Sequence, residues 1–437
     1  MSGKAVAAGL RLTPDAGPPH TRPELSNLCH SFCRSGHGRP HATYLLLEST
    51  SPENKPRMTL RLAVNAVPLR SSLTGVGQDI RHLMAAIEAR GDIALRYFYG
   101  THSDRRAIVS PIPMEDTAKR FIKNTIPFSY VVMRLAQRPV FAAGMRAFLP
   151  QVYHEPNSVA FPFRGPTVIT IHDLSFVHYR EMHPKDRLEY LERYLPSTLR
   201  QAAHVTTDSH EVRREAIAHF GLDPARTTAI HLGVDGAYGP RNEAQCREVL
   251  GRYGLRYGSY VLSVGTLEPR KNLAATIRGV AAVPQRLRRD VPLVVAGRRG
   301  WLSESVESMI RAGESEGWLR FLGFVPQADL PIIYAGARAF AYPSRYEGFG
   351  LPVVEAMASG VPVVTSSVSC LPEIAGDAAE FVHPDDVDGL RVILERLLED
   401  DLRCTQLRTL GLERAKHFSW QRCAEETVSV YRRVTGT

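Results

Sequence analysis

The stretch RYEGFGLPVVEAMASGVPVV, Arg345 to Val364, carries more of the fold and the chemistry than any other part of the chain. It sets Glu347 and Glu355 on either side of a turn, Gly348-Phe349-Gly350, that runs into a Pro-led helix starting near Leu351. A turn of small residues lets backbone N–H groups approach a ligand closely. Pro352 near the first helical position marks the helix start. The unpaired N–H groups and the positive end of the dipole make that start an anion site. Two carboxylates beside an anion site make sense when the ligand also offers hydroxyls. A sugar joined to a nucleotide through a diphosphate offers both.

Outward from this stretch the chain reads as an α/β protein. Apolar runs at Leu60–Ala66, Ile93–Phe98, Gln151–His154, Thr167–Ile171 and His204–Thr207 alternate with helical patterns such as Gly77–Glu88, Asp186–Arg200 and Glu211–His219. A second series follows, with strands at Tyr260–Val264, Leu293–Ala296, Leu319–Leu322, Ala339–Tyr342, Val361–Thr365 and Glu380–Val382. This βαβ alternation predicts parallel sheets covered on both faces. The loop-like GVDGAYGPRN, Gly233 to Asn242, is the candidate linker. The expected organisation is an extension at 1–57, a first Rossmann-like domain at 58–238, and a second at 239–437 whose last helix could cross back. Ligands in such sheets sit at the carboxyl ends of the strands, so two facing halves make a cleft.

The extension is rich in Pro, Gly, Ser and His without a sustained period, and disorder is expected there. Its Cys29, Cys33, His37 and His41 match no common zinc spacing. Met58, directly before the first strand, is a candidate true start. The whole chain of 437 residues has net charge +9 and six scattered cysteines. That cysteine usage fits a reducing compartment. No apolar run is long enough for a membrane span, and Met1 opens no export signal. The excess positive charge fits phosphorylated substrates or anionic lipid, and no nucleic-acid-binding signature is present. The segment 118–149 is both basic and apolar. It reads either as a surface that touches an anionic membrane or as an ordinary helix pair with solvated cations.

Four further clusters carry candidate chemistry. Arg270 and Lys271 follow a strand and open a helix, where paired cations could neutralise a diphosphate. Glu355, one turn into its helix, could accept hydrogen bonds from a vicinal diol, and Glu347 could hold sugar hydroxyls or stabilise positive charge at an anomeric carbon. Gly75 and Gly77 lie between the first strand and its helix, where backbone could approach a phosphate or an acceptor, although Ile80 breaks the full dinucleotide fingerprint. His172, followed by Asp173, ends a strand and could bond the reacting sugar or the acceptor. Asp386-Val387-Asp388 looks like a metal motif, but it starts a helix, so N-capping explains it and no catalytic metal is expected.

Together these residues resemble the GT-B retaining glycosyltransferases of family four, from about Met58 to the C-terminus. The resemblance implies two Rossmann-like domains facing a central cleft. It implies Glu347 beside the donor sugar and Glu355 on the ribose, with Gly348, Phe349, Gly350 and Leu351 lining the nucleotide-sugar site. Arg270 and Lys271 match the family's diphosphate pair, His172 its N-domain histidine, and Gly75 and Gly77 its cleft-facing loop. Thr266 follows Gly265 where many members carry arginine. GTLEPRKN, YHEPN and IHDLSF are similar to a mannosyl- and rhamnosyltransferase branch. That branch implies a hexose donor, GDP-mannose, and a glycan or polyprenyl-linked acceptor of surface polysaccharide assembly, on the cytoplasmic side of the membrane. The competing classes are a sugar-nucleotide epimerase of the same architecture and a non-catalytic two-lobed sugar-binding protein. A nicotinamide oxidoreductase would need the complete glycine fingerprint.

Overall fold

Short, apolar strands separated by amphipathic helices give two parallel sheets. The computed structural model describes residues 59–70, 75–105, 129–300 and 304–437, which all fall within one contact unit, Pro56–Thr437. The first sheet contains β1 (Leu60–Asn65), β2 (Ile93–Phe98), β3 (Ser103–Asp104), β4 (Val152–Glu155), β5 (Thr167–Ile171), β6 (His204–Thr207) and β7 (Thr227–Ala229). Its seven strands run in the order β3-β2-β1-β4-β5-β6-β7, parallel except for β3. The second contains β8 (Val261–Val264), β9 (Leu293–Ala296), β10 (Leu319–Gly323), β11 (Ala339–Tyr342), β12 (Val363–Ser366) and β13 (Ala379–Val382). Its six strands run in the order β10-β9-β8-β11-β12-β13 and are all parallel.

Both faces of each sheet are covered by helices, so central strands are apolar along their whole length rather than alternately. TVITI of β5 and LVVA of β9 are buried at every position. A fully buried Val, Leu or Ile side chain contributes about 1.5–3 kcal/mol, which is why these runs persist as strands. Each sheet reverses its strand order beside its first strand, and the site residues gather at the carboxyl ends around these points.

The final helix, Trp420–Thr435, returns to the first half and packs on the helix Gly75–Ala89. Trp420 stacks on His82 with ring centroids 5.2 Å apart. Tyr431 Oη lies 2.7 Å from His154 Nδ1.

Two expectations change. Gly75 and Gly77 are not in a loop: the helix already starts at Gly75, and neither glycine has the positive φ that would break it. Arg270 and Lys271 do not open a helix. They form a 3₁₀ turn, Pro269–Lys271, and Asn272 at φ 55° in the left-handed region separates it from the helix Leu273–Ala282. Residues 129–148 form one helix containing Pro139. The rest of that basic segment, 118–128, and the Cys29, Cys33, His37 and His41 cluster lie outside the described residues.

Candidate active site in the interdomain cleft

Glu347 is reached by extending β11 through Ser344 and Tyr346, and its side chain is almost wholly buried. Lys271 Nζ lies 2.7 and 2.8 Å from its two oxygens. Arg270 Nη1 donates to it at 3.3 Å, Tyr342 Oη at 2.8 Å and Ser344 Oγ at 2.7 Å. Burial alone would push this carboxyl up, but Lys271 and Arg270 outweigh burial and hold it below the usual carboxylate value. Arg270 is fixed further by Glu268 at 2.9 Å and by the Tyr346 carbonyl at 2.7 Å. The turn thus carries two cations gathered on one acid, all at the carboxyl ends of β8 and β11.

Glu355 has the opposite surroundings. It lies in the helix Leu351–Ala358, which Gly350 starts with φ 95°. A side chain at Gly350 would be strained by that angle and would also meet Leu371. No cation pairs with Glu355 among the described residues. Burial pushes its carboxyl up to about 7, against the pull of the nearby Tyr334 and Tyr238 hydroxyls, and Asp235 adds repulsion. Neither tyrosine hydroxyl makes a hydrogen bond of good geometry, so both are buried donors without a settled acceptor. The two acids are linked through packed rings: Tyr334 on Phe340, and Phe340 on Tyr342, which bonds Glu347.

The first half supplies the opposite wall. His172 follows β5 directly, and its Nδ1 lies 2.8 Å from Asp208 and its Nε2 2.7 Å from the Pro156 carbonyl. Asp79 Oδ2 stands 3.8 Å from Nε2. Burial would lower this imidazole, but Asp208 and Asp79 raise it to about 10, so it is an imidazolium. Both ring nitrogens are thus engaged within the protein. His172 meets the turn through its backbone: a Cβ on Gly348 would lie 1.9 Å from the His172 carbonyl oxygen, so only glycine fits. Phe349 is buried beside it.

Further bonds close the cleft. Ser209 caps the helix His210–Phe220 and donates to the Gly348 carbonyl at 2.7 Å. The Leu174 N–H donates to Tyr346 Oη at 3.0 Å, and Tyr346 donates to Glu215 at 2.6 Å. Glu373 accepts the His210 and Glu211 N–H groups, each at 2.9 Å, and places a carboxylate on that helix's positive end. Gln78 Nε2 donates to Gln327 at 3.2 Å.

The structure therefore gathers Glu347, Arg270, Lys271, Gly348, Phe349 and His172 at one contact between the halves. Glu355 and Leu351 lie on the adjoining helix, and Gly75 and Gly77 lie in the first turn of the helix that carries Asp79. Sequence reasoning missed Asp79, Asp208, Tyr238, Tyr334 and Glu373. Asp208 had a usable signal, since it follows a strand end as His172 does. Asp386 N-caps its helix through the Gly389 N–H at 2.8 Å, as its spacing predicted.

Comparison with known proteins gives concordant matches. The family model described as Glycosyltransferase Family 4 matches residues 73–237, and that described as Glycosyl transferases group 1 matches residues 257–414. The O-antigen chain mannosyltransferase B of Escherichia coli is 35% identical over 377 residues, covering 84% of this chain and 97% of that protein. Sucrose-phosphate synthase from Thermosynechococcus elongatus superposes with TM-score 0.67 at 20% identity, over 86% of this chain and 99% of that one. Anabaena HepE in complex with UDP and glucose superposes with TM-score 0.63 at 17% identity, over 85% and 98%. These likenesses confirm the expected GT-B fold.

Proposed function

The chain belongs to Glycosyltransferase Family 4, and from that premise we propose that it transfers mannose, with retention of configuration, from GDP-mannose to a glycan or polyprenyl-linked acceptor in surface polysaccharide assembly. The family supports the transfer of a sugar. The O-antigen mannosyltransferase at 35% identity supports the choice of mannose and of a polysaccharide product.

The observation that carries the reading is the Lys271–Arg270–Glu347 cluster at the base of the glycine turn. In the proposed reaction the nucleotide lies on the second half and Glu355 accepts the ribose hydroxyls. Lys271 and Arg270 exchange part of their hold on Glu347 for the diphosphate. As the bond to the anomeric carbon breaks, the leaving diphosphate gains negative charge, which the two cations and the N–H groups at Gly348–Leu351 stabilise. Glu347, released from part of its pairing, faces the positive charge that develops on the sugar. His172, its ring nitrogens committed to Asp208 and the Pro156 carbonyl, shapes the wall beside the helix start at Gly75–Gly77, where the acceptor lies. Closure of the halves excludes water and aligns the acceptor hydroxyl. The leaving phosphate takes the acceptor proton on the same face. No metal takes part, because the cations do its work.

The test is to incubate the purified chain with GDP-, UDP- and dTDP-sugars, with and without a mannan-type acceptor, in the presence of a chelator. The reading expects GDP release only when acceptor is present, undiminished by the chelator, and an α-linked product by NMR. Conversion of the donor without acceptor would identify an epimerase, and binding without turnover would identify a carrier. Absence of binding to every nucleotide sugar contradicts the proposal.

We also infer contact with an anionic bilayer on the cytoplasmic side. The helix Ser129–Phe148 exposes Val132 at 51% and Leu135 at 54%, Leu149 follows at 66%, and Arg138 and Arg146 are exposed nearby. That pattern suits an interfacial helix. No helix among the described residues is long and apolar enough to cross a membrane. Leu135→Glu should reduce co-sedimentation with anionic vesicles; unchanged sedimentation contradicts this contact.

A further inference from the structure

Another meeting point of the two halves carries chemistry that sugar transfer leaves unused. His210 begins the helix His210–Phe220, His231 follows β7, and Glu373 lies in the helix Leu371–Ala375. One ligand-capable atom from each lies within 4.8 Å of the other two. His231 Nε2 already meets Glu373 Oε1 at 2.6 Å. The His210 ring stands edge-on to His231 with centroids 5.5 Å apart. It is exposed, and its imidazole has no hydrogen bond or ion pair among the described residues. In a tetrahedral zinc site with ligand bonds of about 2.1 Å, neighbouring donor atoms stand about 3.4 Å apart. Opening one hydrogen bond slightly and turning one exposed ring would reach that spacing.

We propose that His210, His231 and Glu373 form a divalent transition-metal site, with zinc the best fit, that clamps the two halves of the molecule together. Two imidazoles and one carboxylate match zinc's ligand preference, and water completes the tetrahedron. The carboxylate has the capacity: its two backbone N–H bonds leave further lone pairs for a metal. Binding replaces the proton between His231 and Glu373, so a proton is released when the metal enters. His210 and His231 belong to the first half and Glu373 to the second, so the ion favours the closed cleft. His231 also packs against Phe349 of the glycine turn, with centroids 5.9 Å apart. A clamp there slows the opening that releases product.

The experiment titrates zinc, and separately cobalt, into the chelator-treated full chain and into His210→Ala and His210→Gln variants. The expected result is one more bound equivalent in wild type than in either variant, or an affinity on the order of 10–100-fold weaker in both. Cobalt in the wild type should give a tetrahedral nitrogen–oxygen spectrum that both variants lack. Zinc should raise the melting midpoint of the wild type alone and inhibit its turnover more than that of the variants. Equal stoichiometry and affinity in all three proteins overturns the proposal. So does a cobalt spectrum showing only thiolate ligation, which would place the metal on the Cys29 and Cys33 segment. Metal binding is read without turnover, so failure of the transferase reading is distinguishable from failure of this one.

Discussion

Glu347 and Glu355 stand in one stretch with seven residues between them, yet their surroundings are opposites. Glu347 is saturated: two cations, a phenol and a hydroxyl hold it, and it is ionised. Glu355 is starved: two buried phenols face it without settled bonds, and burial pushes it up to about 7. A carboxylate held by two cations can share them with a more highly charged anion. A carboxyl with unused capacity can take new hydrogen bonds at little cost to existing ones. The difference assigns diphosphate chemistry to the first pocket and hydroxyl recognition to the second.

The largest expected effect comes from the saturated side. Lys271→Ala removes a cation from the leaving group and should lower kcat by about 10²–10³, or roughly 2.7–4 kcal/mol, as loss of an oxyanion donor does. Far-UV circular dichroism should stay native, since Arg270 still pairs with Glu347. Wild-type turnover by this variant would remove the pair from the mechanism.

The starved side predicts a binding defect instead. Glu355→Ala should weaken nucleotide affinity by about 1.5–3 kcal/mol, the worth of hydrogen bonds to a charged group, with a smaller change in kcat at saturating donor. Isothermal titration with GDP measures this. A loss confined to kcat would exchange the roles of the two acids.

A pH series sharpens the same contrast. Glu355 is raised from 4.5 to about 7, so the fold favours its neutral form. Its contribution to stability is complete below about pH 4.5 and is lost as pH rises through about 7. The ionised form accepts a diol better, so nucleotide affinity should increase as pH rises through 7, and Glu355→Gln should flatten that increase. Lys271 and Arg270 outweigh burial and hold Glu347 below its ordinary value, so it adds no slope near pH 7. An identical slope in wild type and Glu355→Gln would assign the titration to another group, such as Asp79 or Glu155, which burial also raises to about 7.

The smallest effect belongs to Tyr334→Phe. Its hydroxyl has no good partner, so its removal should change the free protein's stability by less than about 1 kcal/mol. Denaturant melts measure this, and a loss of several kcal/mol would show that the hydroxyl is bonded.

The sheets were legible because buried parallel strands are apolar at every position, as in TVITI and LVVA. The strand β3, of two residues, and β7, Thr-Thr-Ala, are too short and too polar to show a period. The Gly-Phe-Gly turn and its acids were legible because the signal is local. The backbone break at Asn272 was not, since a non-glycine residue with positive φ leaves no mark in composition. The partners of His172 were equally hidden: Asp79 and Asp208 reach it from a distant helix and a neighbouring strand end, and only the folded sheet brings them together.

The central claim is that Glu355 grips the ribose of a nucleoside diphosphate whose phosphates lie at Arg270 and Lys271. Titrating GDP and 2′,3′-dideoxy-GDP into wild type and Glu355→Gln tests it most directly. The account predicts that wild type loses affinity for the dideoxy ligand by at least about tenfold, on the order of one charged hydrogen bond, and that Glu355→Gln binds both ligands with nearly equal, weak affinity. Equal affinity of wild type for the two ligands would contradict it.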